Sequence, residues 1–193
     1  EEESLTVIQT LAEAGIDLSV CEDSLLLSSV EPDEGYGQWS VSGKAVIHEI
    51  TNANTPVSNL SRGENAFTWT VFANDCSSSD EVLITNNMPS PAKVRPNDTI
   101  CTDIVTLQAS QPDIGTGYWQ LLSGDGEIAN STMAVTNASK LSGNLNVFRW
   151  TVVNENCTDV ADLKFVNNSV KPSAGLDRDI CDDNAPLNAN IIE

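Results

Sequence analysis

Five cysteines carry the most specific covalent chemistry in this sequence, and their positions are not independent. Cys21 and Cys101 stand 80 residues apart, as do Cys101 and Cys181, while Cys76 and Cys157 stand 81 apart. None has CxxC spacing, so zinc binding and redox catalysis are poor readings. Cysteines locked to a repeat read instead as a disulfide framework, made in an oxidising compartment outside the cytosol. Two pairings are open. One closes a bridge within each repeat, Cys21 to Cys76 and Cys101 to Cys157. The other joins consecutive repeats, Cys21 to Cys157, and sends Cys76 backwards and Cys101 forwards to other repeats. Cys181 lacks a partner in either scheme.

Carboxylates offer the second kind of chemistry. Asp17, Glu22 and Asp23 fall near a repeat joint and could hold Ca²⁺ together with a neighbouring loop, since Ca²⁺ takes oxygen ligands. Their spacing matches no known calcium loop, and turn formation explains the recurrence of Asp23, Asp103 and Asp183 equally well. His48 is the one histidine, and nothing beside it suggests a triad or a zinc site. There is no GxSxG, P-loop or HExxH pattern. Gly35-Tyr36-Gly37 and Gly115-Thr116-Gly117 read as turn glycines ahead of a strand, with no helix to complete a phosphate site. Trp39, Trp69, Trp119 and Trp150 invite carbohydrate stacking, but they repeat at positions that read as core. A binding module would have to use Tyr36, Tyr118 or the loop Asp125-Gly126-Glu127. The balance of 28 acidic against 9 basic residues argues against nucleic acid and anionic membrane as partners. No apolar run approaches a membrane span.

The elements that position these residues are written in the repeat. An offset of 80 carries Cys21, Leu27, Pro32, Gly35, Gly37 and Trp39 onto Cys101, Leu107, Pro112, Gly115, Gly117 and Trp119. An offset of 81 carries Asn65, Phe67, Trp69, Thr70, Val71, Cys76 and Asn86 onto Asn146, Phe148, Trp150, Thr151, Val152, Cys157 and Asn167. Within each copy, short stretches alternate apolar and polar residues between Gly, Asn, Asp and Pro. Examples are Ile16-Leu18-Val20, Leu25-Leu27, Trp39-Val41, Phe67-Trp69-Val71 and Val82-Ile84, with less distinct strands at Val46-Ile47 and Val57 to Leu60. About seven such strands per copy describe an antiparallel β-sandwich of immunoglobulin type. The expected division is 1–11 as the last strand of a preceding repeat, 12–89 and 90–170 as two full repeats, and 171–193 as the start of a third. In that reading Leu5 to Ile8 and Ile180 to Leu187 are strands severed from their sandwiches. The Pro-bearing joints suggest an extended array.

The pattern Ala-Gly-x-Asp, Cys, Leu, Pro, Gly-x-Gly-x-Trp, Ser-Gly, Asn-x-Phe-x-Trp-Thr-Val, Cys resembles the PKD-like, Ig-like repeats of very large secreted Bacteroidetes proteins. These include gliding-motility adhesins exported by the type IX pathway. The second copy departs at its start, where Val94-Arg95-Pro96-Asn97 replaces Ala-Gly-x-Asp. The resemblance implies tandem Ig-like (PKD-like) β-sandwiches at the cell surface. It also brings a short O-glycosylation motif, Asp-Ser/Thr-apolar, matched at Ser24 and Thr99.

Strand direction favours the bond between repeats. If strand A starts at one end of a sandwich, the turn carrying Cys21 sits at the opposite end from the turn carrying Cys76. A strand of six residues spans ~20 Å, whereas a disulfide needs Cα atoms within ~7 Å. The expected function is non-enzymatic: a disulfide-stapled stalk or filament segment for adhesion or gliding motility. The alternative is a glycan- or Ca²⁺-dependent binding module. Expected partners are neighbouring repeats, with other copies in a filament and surface glycans as further candidates.

Overall fold

The computed structural model describes residues 11–170 and, beyond them, 172–177, 179, 181, 183, 184, 186, 187 and 189. Leu5 to Ile8 and Ile180 lie outside the described residues. All the regular structure described is β. The first repeat supplies β1 (Leu18–Val20), β2 (Leu25–Ser28), β3 (Tyr36–Ser42), β4 (Val46–Ile47), β5 (Asn54–Ser58), β6 (Gly63–Ala73) and β7 (Cys76–Asn86). The second supplies β8 (Asp98–Ile100), β9 (Val105–Gln108), β10 (Thr116–Ser123), β11 (Glu127–Ile128), β12 (Val135–Ser139), β13 (Asn144–Asn154) and β14 (Cys157–Asn167). Each copy forms a four-stranded and a three-stranded sheet, ordered β1-β7-β6-β3 with β2-β5-β4, and β8-β14-β13-β10 with β9-β12-β11. These are two immunoglobulin-like β-sandwiches in tandem. By contact, a first compact unit takes in the chain up to Ser90 together with Val153–Thr158, the tip of the β13–β14 hairpin. The second takes in Pro91–Val152 and the chain from Asp159 onward.

Period-2 patterning makes the long hairpins. Along β6, Asn65, Phe67, Trp69 and Val71 are buried while the residues between them are half-exposed. Trp39 on β3 lies opposite Trp69 in the ladder, with ring centroids 5.1 Å apart, and Trp119 and Trp150 repeat the pair at 5.2 Å. All four indoles are core residues, no more than 2% exposed. Three of them spend their N–H on a backbone carbonyl: Trp39 on Ala53, Trp69 on Val30 and Trp119 on Ala134. The less distinct strand over Val57 to Leu60 is β5, shifted toward the N-terminus, and it ends where Asn59 turns to φ 57°.

Gly37 and Gly117 are not turn residues. They lie inside β3 and β10, each two places before a core tryptophan on the same face. A Cβ there would stand 1.9 Å from Cζ2 of Trp69, or 2.0 Å from Cζ2 of Trp150. The missing side chain is the space the facing indole occupies. Gly35, at φ 87°, is the one that makes the turn. Gly117→Ala is therefore expected to cost about 1–3 kcal/mol of stability through overpacking. Gly143→Ala, where a Cβ meets nothing within 4 Å, should stay within about 0.5 kcal/mol of the parent. Denaturant melts of the two variants check this.

Candidate functional site

The cysteine geometry follows from one unusual pairing. β1 runs parallel to β7, with Leu18 opposite Ile84 and Val20 opposite Asn86. The Asn87 N–H then donates to the Val20 carbonyl at 2.8 Å. Cys21 thus leaves β1 beside the finish of β7, while Cys76 is the first residue of that same strand. Ten residues of extended chain separate the two levels, ~33 Å at the usual rise. A disulfide tolerates ~7 Å, so the bridge within the repeat cannot close. The second repeat copies the arrangement: Ile100 pairs with Asn167, which sets Cys101 at the opposite end of β14 from Cys157.

Cys21 is bonded to Cys157, with Cα atoms 5.3 Å apart and a sequence separation of 136. The bond falls within the first compact unit, because the hairpin tip carrying Cys157 belongs there. Asn154 in the same tip donates its side-chain amide to the Asn87 carbonyl at 2.9 Å. Cys76, Cys101 and Cys181 carry free, exposed thiols.

The candidate calcium ligands do not converge. Asp17 uses Oδ1 to accept the Leu83 N–H at 2.9 Å, latching the start of β1 to β7. In the second repeat Asn97 accepts the Lys164 N–H at 2.9 Å through its own Oδ1. A neutral amide does the same work, so this latch needs an acceptor and not a charge. Glu22 and Asp23 are exposed in the turn after β1, where the Asp23 carbonyl accepts the Leu60 N–H. The Asp103 carbonyl does the same for Leu141. Among the described residues, no three His, Cys, Asp or Glu side chains gather as a metal site.

Four recurring asparagines have roles that strand patterning did not suggest. Buried Asn65 accepts from Ser61 N–H and donates to the carbonyls of Ser61, Gly63 and Ile84. Asn146 ties the equivalent loop through Ser142 and Asn144. Asn86 donates to the Leu60 carbonyl and accepts the Met88 N–H, and Asn167 accepts the Ser169 N–H. An amide held at an otherwise apolar face in both copies was the available signal.

Other candidates stand apart from one another. Ser24 is exposed in the turn before β2, and Thr99 is exposed on β8. They are not equivalent positions, since Ser19 is the counterpart of Thr99. His48 shares a surface hydrogen bond with Ser58 at 3.1 Å. Tyr36 stacks on Phe72 with centroids 5.1 Å apart, and Tyr118 lines an open recess with Gly117, Ser131 and Thr132. In the Asp125-Gly126-Glu127 loop, the Glu127 carboxylate is already held by Lys140 at 2.6 Å.

One ion pair is bidentate. Arg149 on β13 meets Asp162 on β14 through Nε at 2.7 Å and Nη2 at 3.0 Å. The hydrogen bond from Arg149 holds the Asp162 carboxyl below the usual carboxylate range, and the same bond raises the guanidinium. The first repeat has Thr68 opposite Glu81 at these positions.

No family model and no curated protein matches the chain. Among solved structures it is similar to extracellular domains 3–5 of Drosophila OTK, at 13% identity and TM-score 0.48, over 82% of this chain and 60% of that one. It is similar to the insect immune protein hemolin at 14% identity and TM-score 0.49, over 86% and 49%. An I-band fragment of titin gives 14% identity and TM-score 0.43, over 83% and 65%. The chain thus spans less than two thirds of each, and likeness at this level carries nothing about ligand or partner.

Two predictions follow from the latches and the ion pair. Asp17→Asn should leave the melting temperature unchanged with or without Ca²⁺, whereas Asp17→Ala should cost about 1 kcal/mol. Asp162 has a depressed folded pKa, so its contribution is present above the unfolded carboxylate range and is lost as pH falls through the folded value. The stability gap between the parent and Asp162→Asn should therefore be open at pH 7 and close in acid, as read by melts across that range.

Proposed function

We propose that this chain is a non-enzymatic, load-bearing segment of an extracellular surface protein. In this reading, successive Ig-like repeats are stapled by staggered disulfides into a stalk that carries an adhesive or motility element. The observation that carries it is the bond between cysteines of consecutive repeats, Cys21 and Cys157. A bond within one repeat protects that repeat alone. A bond across two encloses both in a single covalent loop. Disulfides persist in oxidising surroundings, which supports placement outside the cytosol. The resemblance of the repeat pattern to PKD-like repeats of secreted Bacteroidetes surface proteins supports the same setting. Neighbouring repeats are the first partners in this reading. A net charge of −19 keeps such segments soluble and disfavours phosphate-rich partners.

Single-molecule stretching between the chain ends tests the proposal. With the bond intact, the 136-residue loop stays out of the extended contour. At about 3.3–3.6 Å per residue, reduction should then add on the order of 450 Å to the total extended contour. An extended contour that is the same before and after reduction would contradict it.

A further inference from the structure

The two repeats differ at the seam where the sheets part. In the second repeat Arg95 closes it: the guanidinium lies 5.7 Å from the centroid of the core residue Phe165 and bonds Asp98 at 2.8 Å. The backbone there also pairs with the end of β9, through Arg95 N–H to Gln108 and Ser110 N–H to Lys93. In the first repeat the residue in register with Arg95 is Gly15, and the two backbone bonds are replaced by one, from Val30 N–H to Glu13. A groove of about 270 Å³ stays open over the core, lined by Ile16, Leu18, Leu25, Leu27, Val82 and Ile84. Val82 and Ile84 are buried core residues that form its floor, while Ile16 is 77% and Leu18 is 42% exposed. The second repeat carries Pro96, Asp98 and Thr106 where the first has Ile16, Leu18 and Leu26. At the corresponding place the second repeat has a smaller recess of about 190 Å³, lined by Lys93, Val94, Arg95, Gln108, Ala109 and Ser110, so the two repeats differ in the size and lining of the opening.

Two features define what could occupy it. Among the described residues β2 is the outer strand of its sheet and β1 the outer strand of the other, so each offers there one backbone side without a strand neighbour, a template for an added strand. The two edges carry acidic charge: residues 11–43 contain no Lys or Arg, and Glu13, Asp17, Glu22, Asp23 and Glu31 fall on or beside β1 and β2 in the chain. The volume is below the ~300–1,000 Å³ of sites for drug-sized ligands, and suits one or two apolar side chains.

We propose that this groove binds an extended segment of a partner protein in which apolar residues alternate with Lys or Arg. The segment adds as a strand to the edge of β2, sets an apolar side chain over Val82 and Ile84, and turns its cations to the acidic rim. Strand geometry puts alternate residues on opposite faces, so a single alternating sequence meets both requirements.

The test titrates the ¹⁵N-labelled full chain with a synthetic octapeptide of alternating Lys and Val, using an alternating Glu and Val octapeptide as control. The expected result is saturable binding of the cationic peptide, with amide shifts confined to β1 and β2. Leu18→Asp and Leu26→Thr, which import the second repeat's own residues, should each weaken binding at least tenfold while leaving the melting temperature in place. Equal shifts in both repeats, equal binding of the acidic peptide, or unaltered binding by both variants would overturn it. So would binding that emerges only when residues 1–10 are removed, which would make the chain's own segment the occupant. Self-association of the free chain that Leu18→Asp abolishes would assign the groove to a second copy, and equally defeat the proposal.

Discussion

The parallel pairing of the first strand with the last is the constraint on which the covalent structure depends. Running β1 alongside β7 carries the turn after β1 to the finish of β7. The cysteine in that turn is thereby parted from the cysteine that opens β7, although both belong to one repeat. With the pairing repeated between β8 and β14, neither copy can close its own bridge. Covalent linkage between repeats is the remaining outcome, and Cys21 with Cys157 realises it. A small sandwich gains from a staple because its core alone is marginal. Here the staple encloses two cores instead of one.

Around that constraint, polar side chains complete what the short strands leave undone. Three residues suffice for β1 and three for β8, too few to hold an edge by ladder bonds alone. Asp17 and Asn97 extend the hold by accepting from the neighbouring strand. Asp80 and Asp159 add to it by accepting from Ala14 and Ala92. Part of the acidic excess is thus structural acceptor, employed where an amide serves as well. Asn65, Asn86 and Asn146 do for the loops what these residues do for the edge, donating to the carbonyls of Ser61, Leu60 and Ser142.

Much of this was legible in the residues, and the illegible part has physical reasons. The long hairpins announced themselves because alternation over eleven residues is a strong signal, and the tryptophans marked the core because they recur in register. The same alternation places Ile16 in the first strand, yet it lies before β1 and is largely exposed. An isolated apolar residue beside a short strand carries no information about which face it takes. Gly37 looks like a turn residue in the sequence because its reason for being glycine, the Trp69 ring, sits on a strand far along the chain. The asparagines were visible as repeats but not as roles, since a buried amide and a loop amide look alike in sequence. Spacing alone leaves two disulfide schemes, and the order of the short strands favours the bond between repeats, which is the one formed. The open seam of the first repeat needed the comparison of Gly15 with Arg95 in three dimensions.

The most direct test of the account is a disulfide map of the full chain by non-reducing digestion and mass spectrometry. The expected result is a peptide pair linked through Cys21 and Cys157, with Cys76 and Cys101 recovered as alkylated thiols. Recovery of Cys21 linked to Cys76, or of Cys101 linked to Cys157, would contradict it, since neither bond can form while β1 runs parallel to β7 and β8 to β14.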